Sequence, residues 1–210
     1  MDLFRVIGKV SEKLGRGKTP TFNDAHVVKA IETLGSEQFI GRKILSQILG
    51  LGRGETRTLV KHLREENLIE VSRRGMDLSK KGNKILSDLR SKISQGIPVP
   101  DNPLTVGPSN VAILVRDAAP AVRYGVEQRD TAIKSGARGA TTLIFKNNNL
   151  VLPIPKDFFK KNQEFHDMLV KKLEPEEGDV VVIASAEDER IAELAAKTVA
   201  LNLLKSVTQH

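Results

Sequence analysis

Between Gln95 and Pro108 the chain reads Gln-Gly-Ile-Pro-Val-Pro-Asp-Asn-Pro-Leu-Thr-Val-Gly-Pro, with four prolines and two glycines. Proline removes the amide that a helix or an inner strand must donate, and glycine loosens what remains. No regular element is expected to run through such a stretch. It divides 210 residues into two parts, each long enough for a core of its own. The expectation is a domain over residues 1–95, a Pro-rich, semi-extended linker over 96–108, and a second domain over 109–210.

Charge divides the chain at the same place. Residues 1–95 hold 19 Lys and Arg against 11 Asp and Glu, whereas the rest hold 14 against 15. A lysine-rich surface without a task would be basic in both parts. A basic first part joined to a neutral second one points to a polyanion-binding module coupled to a domain with different work.

Helical periodicity places Ala25, Val27, Val28, Ile31 and Leu34 on one side of a helix over residues 24–34, with Asn23 or Asp24 as cap. A shorter helix over Ile40–Leu49 ends at Gly50, and Gly50-Leu-Gly-Arg53 reads as a tight turn. A third helix runs from Gly54 or Glu55 to Asn67. It sorts its residues by chemistry: Thr56, Leu59, Val60 and Leu63 fall on one side, and Arg53, Arg57, Lys61 and Arg64 on another. Two short strands, residues 68–72 and 76–78, then flank Arg73-Arg74-Gly75.

Helix, glycine turn, cationic helix and hairpin together make a winged helix-turn-helix. In that arrangement the second helix enters the major groove, where phosphates attract its charges and arginine reaches guanine O6 and N7. The candidate DNA contacts are Arg42, Lys43, Arg53, Arg57, Thr58, Lys61, Arg64, Arg73 and Arg74. Ile40 to Asn67, Leu68-Ile-Glu-Val71 and Leu78-Ser-Lys-Lys-Gly82 resemble the winged-helix repressors of prokaryotes. Tyr124-Gly-Val-Glu-Gln-Arg-Asp130 and Lys134-Ser-Gly-Ala-Arg-Gly-Ala-Thr141 extend the resemblance to archaeal winged-helix transcriptional regulators with an uncharacterised C-terminal α/β domain. That resemblance implies a DNA-binding transcriptional regulator.

In the second part strand and helix patterns alternate. Residues 110–116 and 179–184 are short β-branched runs of the kind buried in a sheet. Residues 140–146 and 150–152 form a hairpin through Asn147-Asn-Asn149, and helices are expected over 121–135, 157–173 and 187–206. The fold class is therefore an α+β winged helix-turn-helix domain followed by an α/β domain with a small mixed sheet.

Asp130 shares a helical stripe with Val126, Ile133 and Ala137. A carboxylate so placed needs a cation, and Arg116, Arg123, Arg129 and Arg138 are available. One reading is a structural Asp–Arg bridge. The other is a pocket for a small-molecule effector at the C-terminal ends of 110–116 and 179–184, bounded by Arg116, Glu127, Asp130 and Arg138. The closing helix is apolar almost all round at Val199, Ala200, Leu201, Leu203 and Leu204, which points to burial or to homodimerisation through Leu201 or Leu203.

Other classes find little support. There is no cysteine, and His26, His62, His166 and His210 lack metal-ligand spacing, so neither a metal nor another cofactor is expected. Phosphate-loop, nucleophile-elbow and dinucleotide fingerprints are absent, and the protein is expected not to be an enzyme. An enzyme on a small anionic substrate, using Glu127 or Asp130 as acid or base, is the alternative, as is an RNA- or ribosome-associated adaptor. Against the adaptor stands an aromatic content of 4%. No apolar run approaches the roughly 20 residues that span a bilayer, and the start is too short and polar for a secretory signal, so the expected location is the cytoplasm without membrane contact.

Overall fold

The computed structural model describes residues 3–12, 21–153 and 162–208. The chain forms two units, residues 1–89 and 90–210. In the first, α1 (Leu3–Ser11) buries Leu3, Val6, Ile7 and Val10. It precedes the three helices expected from periodicity. Next, α2 (Asp24–Ser36) starts at Asn23, whose side chain accepts the His26 amide, and it buries Ala25, Val27, Val28, Ile31 and Leu34.

Helix α3 (Arg42–Leu49) stops at Gly50, and α4 (Arg53–Glu65) begins after Gly52. The turn is pinned from both sides: the Leu51 amide donates to the Ser46 carbonyl at 3.2 Å, and Ser46 Oγ donates to the Leu51 carbonyl at 2.6 Å. Strands β1 (Ile69–Val71) and β2 (Met76–Leu78) form an antiparallel hairpin with Ile69 opposite Leu78. The hairpin is held to the segment before α3 by reciprocal hydrogen bonds between Ile40 and Met76. Helix α5 (Lys80–Arg90) follows directly.

The Leu-Ser-Lys-Lys-Gly motif has a physical basis here. Ser79 Oγ accepts the Gly82 amide at 3.0 Å, capping α5, and donates to the Asn67 carbonyl at 2.6 Å. At Gly82 a Cβ would come within 2.1 Å of the Leu68 carbonyl oxygen, so only glycine allows α5 to lie against the start of the hairpin.

The second unit is a five-stranded sheet in the order β3-β4-β7-β5-β6, where β3 is Ile97–Pro98, β4 Ser109–Val115, β5 Gly139–Lys146, β6 Asn149–Val151 and β7 Val180–Ala186. Every pairing is antiparallel, so the sheet is not mixed. The β5–β6 turn places Asn147 and Asn148 at φ 52° and 60°, the left-handed pair that matches strand twist in a two-residue hairpin. On one face, Ala112, Leu114, Leu143, Phe145, Val181 and Ile183 pack with Phe165, Leu169 and Leu173 of α7 (Gln163–Leu173). Of the helix expected over 157–173, residues 157–161 lie outside the described residues. Two other helices, α6 (Val126–Lys134) and α8 (Glu189–Val207), pack against the sheet and each other.

Three expectations change. The Pro-rich stretch 96–108 is built into the second unit: Ile97 and Pro98 pair with Ala112 and Val111, Val99 is buried, and Thr141 Oγ1 donates to the Leu104 carbonyl at 2.7 Å. Pro98 can serve because an edge strand leaves one row of positions without a ladder donor. The helix expected over 121–135 is broken. A short 3-10 turn at Ala119–Ala121 is followed by Gly125 at φ 77°, and α6 starts only at Val126. Finally, Leu201 and Leu203 are both 2% exposed within the single chain, so they belong to the core rather than to a dimer interface.

Candidate nucleic-acid interface

Helix α4 buries Thr56, Leu59, Val60, His62 and Leu63, and leaves Arg53, Arg57, Lys61 and Arg64 exposed. The four cations lie along about 16 Å of axis at 1.5 Å per residue. Arg42 and Lys43, in the first turn of α3, face Arg53 and Arg57 across a cleft of about 370 Å³ that Ser46, Gly54 and Thr56 complete. Four cations around one open cleft favour an anion, and a helix of this diameter fits a major groove about 12 Å wide.

The inward side fixes how that face is presented. Nδ1 of His62 lies 2.9 Å from the Val10 carbonyl oxygen, and the His62 ring meets Phe22 edge-on at 6.0 Å between centres. At the start of α4 the Gly52 amide donates to Glu55 Oε2 at 2.7 Å, and Thr21 Oγ1 donates to Glu55 Oε1. The Thr21 hydroxyl first, then the Gly52 amide, hold the Glu55 carboxyl below the usual glutamate range.

The remaining candidates of the first unit divide. Thr58 is half-buried and its hydroxyl donates to the Gly54 carbonyl at 3.1 Å, so that group serves the helix. Lys61 pairs loosely with Glu65 at 3.7 Å and stays 71% exposed. Arg73 and Arg74 stand on the hairpin turn, and both are exposed. Arg74 is committed, its guanidinium carbon 4.3 Å from the centre of the Phe39 ring.

In the second unit the expected pocket is not assembled. The register sets Val115 against Val180 and Asn110 against Ser185, so the antiparallel neighbours β4 and β7 finish at opposite ends of the sheet. Arg116 lies near the Asp179 end, and Arg138, whose amide donates to the Ser185 carbonyl, lies at the other. Arg138 pairs with Glu187. Asp130 is half exposed and pairs with its neighbour Arg129 at 3.1 Å, because α6 turns Gln128 and Ala132 inward and leaves Val126 and Ile133 outward. Glu127 is exposed in the first turn of α6.

The carboxylate that the sheet does bury is Asp179. Its Oδ2 takes the Arg116 guanidinium at 2.7 Å and the Glu176 amide at 2.8 Å, and its Oδ1 takes the Asp117 amide at 3.0 Å. Asp179 is 1% exposed, so a structural Asp–Arg pair does form, with Arg116 as one of the expected cations but with Asp179 in place of Asp130. An aspartate opening an apolar run reads in sequence as a strand boundary. Only the β4–β7 register brings it to Arg116.

Among the described residues there is no cluster of three His, Asp or Glu side chains that could hold a metal ion, and no helix long and apolar enough to cross a membrane.

Comparison with known proteins gives separate matches for the two units. Residues 25–93 match the family model described as the CggR N-terminal DNA binding domain, and residues 106–203 match a domain of unknown function, DUF4443. No curated protein matches the chain. Among solved structures, the hypothetical protein PH0730 from Pyrococcus horikoshii OT3 is 33% identical with a TM-score of 0.71, over 87% of this chain and 93% of that one.

Proposed function

Since the chain belongs to the same family as PH0730 of Pyrococcus horikoshii, with a first domain of a DNA-binding type, we propose that it is a transcriptional regulator that binds double-stranded DNA. The observation that carries this reading is the exposed row Arg53, Arg57, Lys61 and Arg64 on α4, met across the α3–α4 cleft by Arg42 and Lys43. In this reading α4 lies in the major groove and the β1–β2 hairpin is a wing whose Arg73 reaches the backbone.

The second domain serves dimerisation or the sensing of a small molecule rather than catalysis. Glu127 and Asp130 are exposed, and neither is held beside Arg116 or Arg138, so the acid, base and clamps of the enzyme alternative are not assembled. A homodimer suits the task because one α4 reads one half-site, and two related by a two-fold axis read a palindrome. The setting is the cytoplasm, and an archaeal source fits the Pyrococcus relative.

Selection of bound fragments from a random pool of duplex DNA tests the reading. The expected result is an enriched consensus, palindromic for a dimer. Recovery of no preferred sequence, with fluorescence anisotropy showing no salt-dependent duplex binding, would overturn it.

A further inference from the structure

A cavity of about 260 Å³ opens on the second unit between the first turn of α6 and the β5–β6 hairpin. Its walls are apolar where Tyr124, Val126, Leu152 and Pro153 meet, and polar where Thr142 and Arg129 do. Tyr124 is 66% exposed and Val126 42%, an unusual amount of ring and aliphatic surface to leave in water around one depression.

Two independent features give the cavity a polar end. Thr142 is 3% exposed, and its Oγ1 has no hydrogen-bond partner among the described residues. A buried hydroxyl without a partner costs stability, so it marks a place where a partner is missing. Beside it, α6 begins at Gly125 with no side-chain cap, and because Gly125 and Val126 line the same cavity, the uncapped first turn and the positive end of its dipole lie at the cavity wall. Gly125 adopts φ 77°, and a Cβ there would stand 3.7 Å from Thr142 Oγ1, in van der Waals contact with it, so the glycine leaves the space over the hydroxyl empty. One helical turn on, Arg129 supplies a cation, engaged among the described residues only in an exposed pair with Asp130 that is worth little in water.

We propose that this cavity binds a small carboxylate with an apolar body. The carboxylate takes the Thr142 hydroxyl, the α6 amides and Arg129, and the body lies against Tyr124, Val126 and Leu152. The proposal rests on the regulator reading in one respect, that the bound carboxylate is the effector of DNA binding. It gives a role to the exposed Tyr124 and Arg129 of Tyr124-Gly-Val-Glu-Gln-Arg-Asp130, whose side chains lie outside the core.

The chain contains one tyrosine and no tryptophan, so its intrinsic emission reports on Tyr124 alone. Hexanoate, which does not absorb where tyrosine does, is titrated into the full chain, with hexan-1-ol and hexylammonium as controls. The expected result is a saturable change with hexanoate only, weakened about tenfold by Arg129→Gln, as loss of roughly 1.4 kcal/mol of a charge-assisted contact requires. Thr142→Val keeps the shape and should weaken hexanoate severalfold while raising the melting temperature. A rise in melting temperature with hexanoate binding unchanged would show the hydroxyl to be a packing defect only and would overturn its role. No saturable change, or an equal change with hexan-1-ol, overturns the site. Duplex binding is followed by anisotropy in the same samples. Intact duplex binding without a hexanoate response removes the site and leaves the regulator, while a hexanoate response that leaves duplex affinity unchanged removes the effector role.

Discussion

Nδ1 of His62 and the carbonyl oxygen of Val10 lie 2.9 Å apart, joining the buried side of α4 to α1 across 52 positions of sequence. His62 is 4% exposed, so the carbonyl it meets is shielded from water as well. Replacing His62 by leucine keeps apolar bulk but leaves that acceptor without a partner. The expected cost is about 1–3 kcal/mol in the first unit. Circular dichroism should show an earlier transition while Tyr124 emission, which belongs to the second unit, melts as before; equal melting by both probes in wild type and variant would remove the contact's importance.

The outward side of the same helix makes the opposite prediction. Arg57 and Lys61 are exposed, and the pairing of Lys61 with Glu65 is that of a surface ion pair. Arg57→Ala with Lys61→Ala should leave stability within about 0.5 kcal/mol. It should weaken duplex binding and flatten the log–log salt dependence by about one for each lost phosphate contact. A folded double variant that binds duplex with an unchanged slope contradicts the interface.

The two arginines of the hairpin turn should part company. With its guanidinium over Phe39, Arg74 holds the hairpin to the segment before α3, whereas Arg73 has no such contact among the described residues. Arg73→Ala is expected to lower DNA affinity and leave melting unchanged. Arg74→Ala is expected to cost about 0.5–1 kcal/mol of stability. Equal effects of the two on both measurements would mean that the stacking has no consequence.

Glu55 links pH to the integrity of the turn before α4. Its carboxyl is held below the ordinary value of 4.5, chiefly by Thr21, so the folded chain keeps it ionised where the unfolded chain begins to protonate it. The unfolded state then binds more protons, and stability falls as pH drops from above 4.5 through the lowered folded value. Above that window the contribution is fully present. Melting curves of wild type and Glu55→Gln should differ most near neutral pH and converge in acid; a constant gap across the range would rule out the linkage.

Asp179 and Asp130 offer a paired comparison in the second unit. Asp179→Asn removes the charge that Arg116 and two backbone amides converge on, and should cost about 3 kcal/mol, the lower end for a broken buried pair because Arg116 is itself a third exposed. Asp130→Asn, at a half-exposed position, should stay within about 0.5 kcal/mol. Denaturant titration followed by Tyr124 emission measures both.

These contrasts mark where sequence patterns carry structural information. The two sides of α4 are legible because a period of 3.6 sorts Leu59, Val60 and Leu63 from Arg57, Lys61 and Arg64 within one element. The β5–β6 turn is legible because asparagine tolerates the left-handed region at 147 and 148. What escapes is whatever depends on which elements meet. The stripe of Val126, Asp130 and Ile133 on α6 reads as inward, yet packing against β5 and α8 selects the side with Gln128 and Ala132. Arg116 finds Asp179 through a strand register that neither segment encodes alone. Likewise Lys197, fully buried in α8 and 3.2 Å from Glu193, sits in a helix whose apolar turns gave no reason to single it out.

The last strand in the sequence, Val180–Ala186, occupies the middle of the five-stranded sheet. During synthesis the first unit has all of its residues once Leu89 has left the ribosome, and domains emerging first generally fold first. The second unit must wait, because β4 and β5 each lack their shared neighbour until β7 appears. While the residues up to Leu173 have left the ribosome and Val180 onward have not, the chain carries a finished helix-turn-helix and a second unit with an open edge on each of β4 and β5, the condition in which nascent chains pair with one another instead of with themselves.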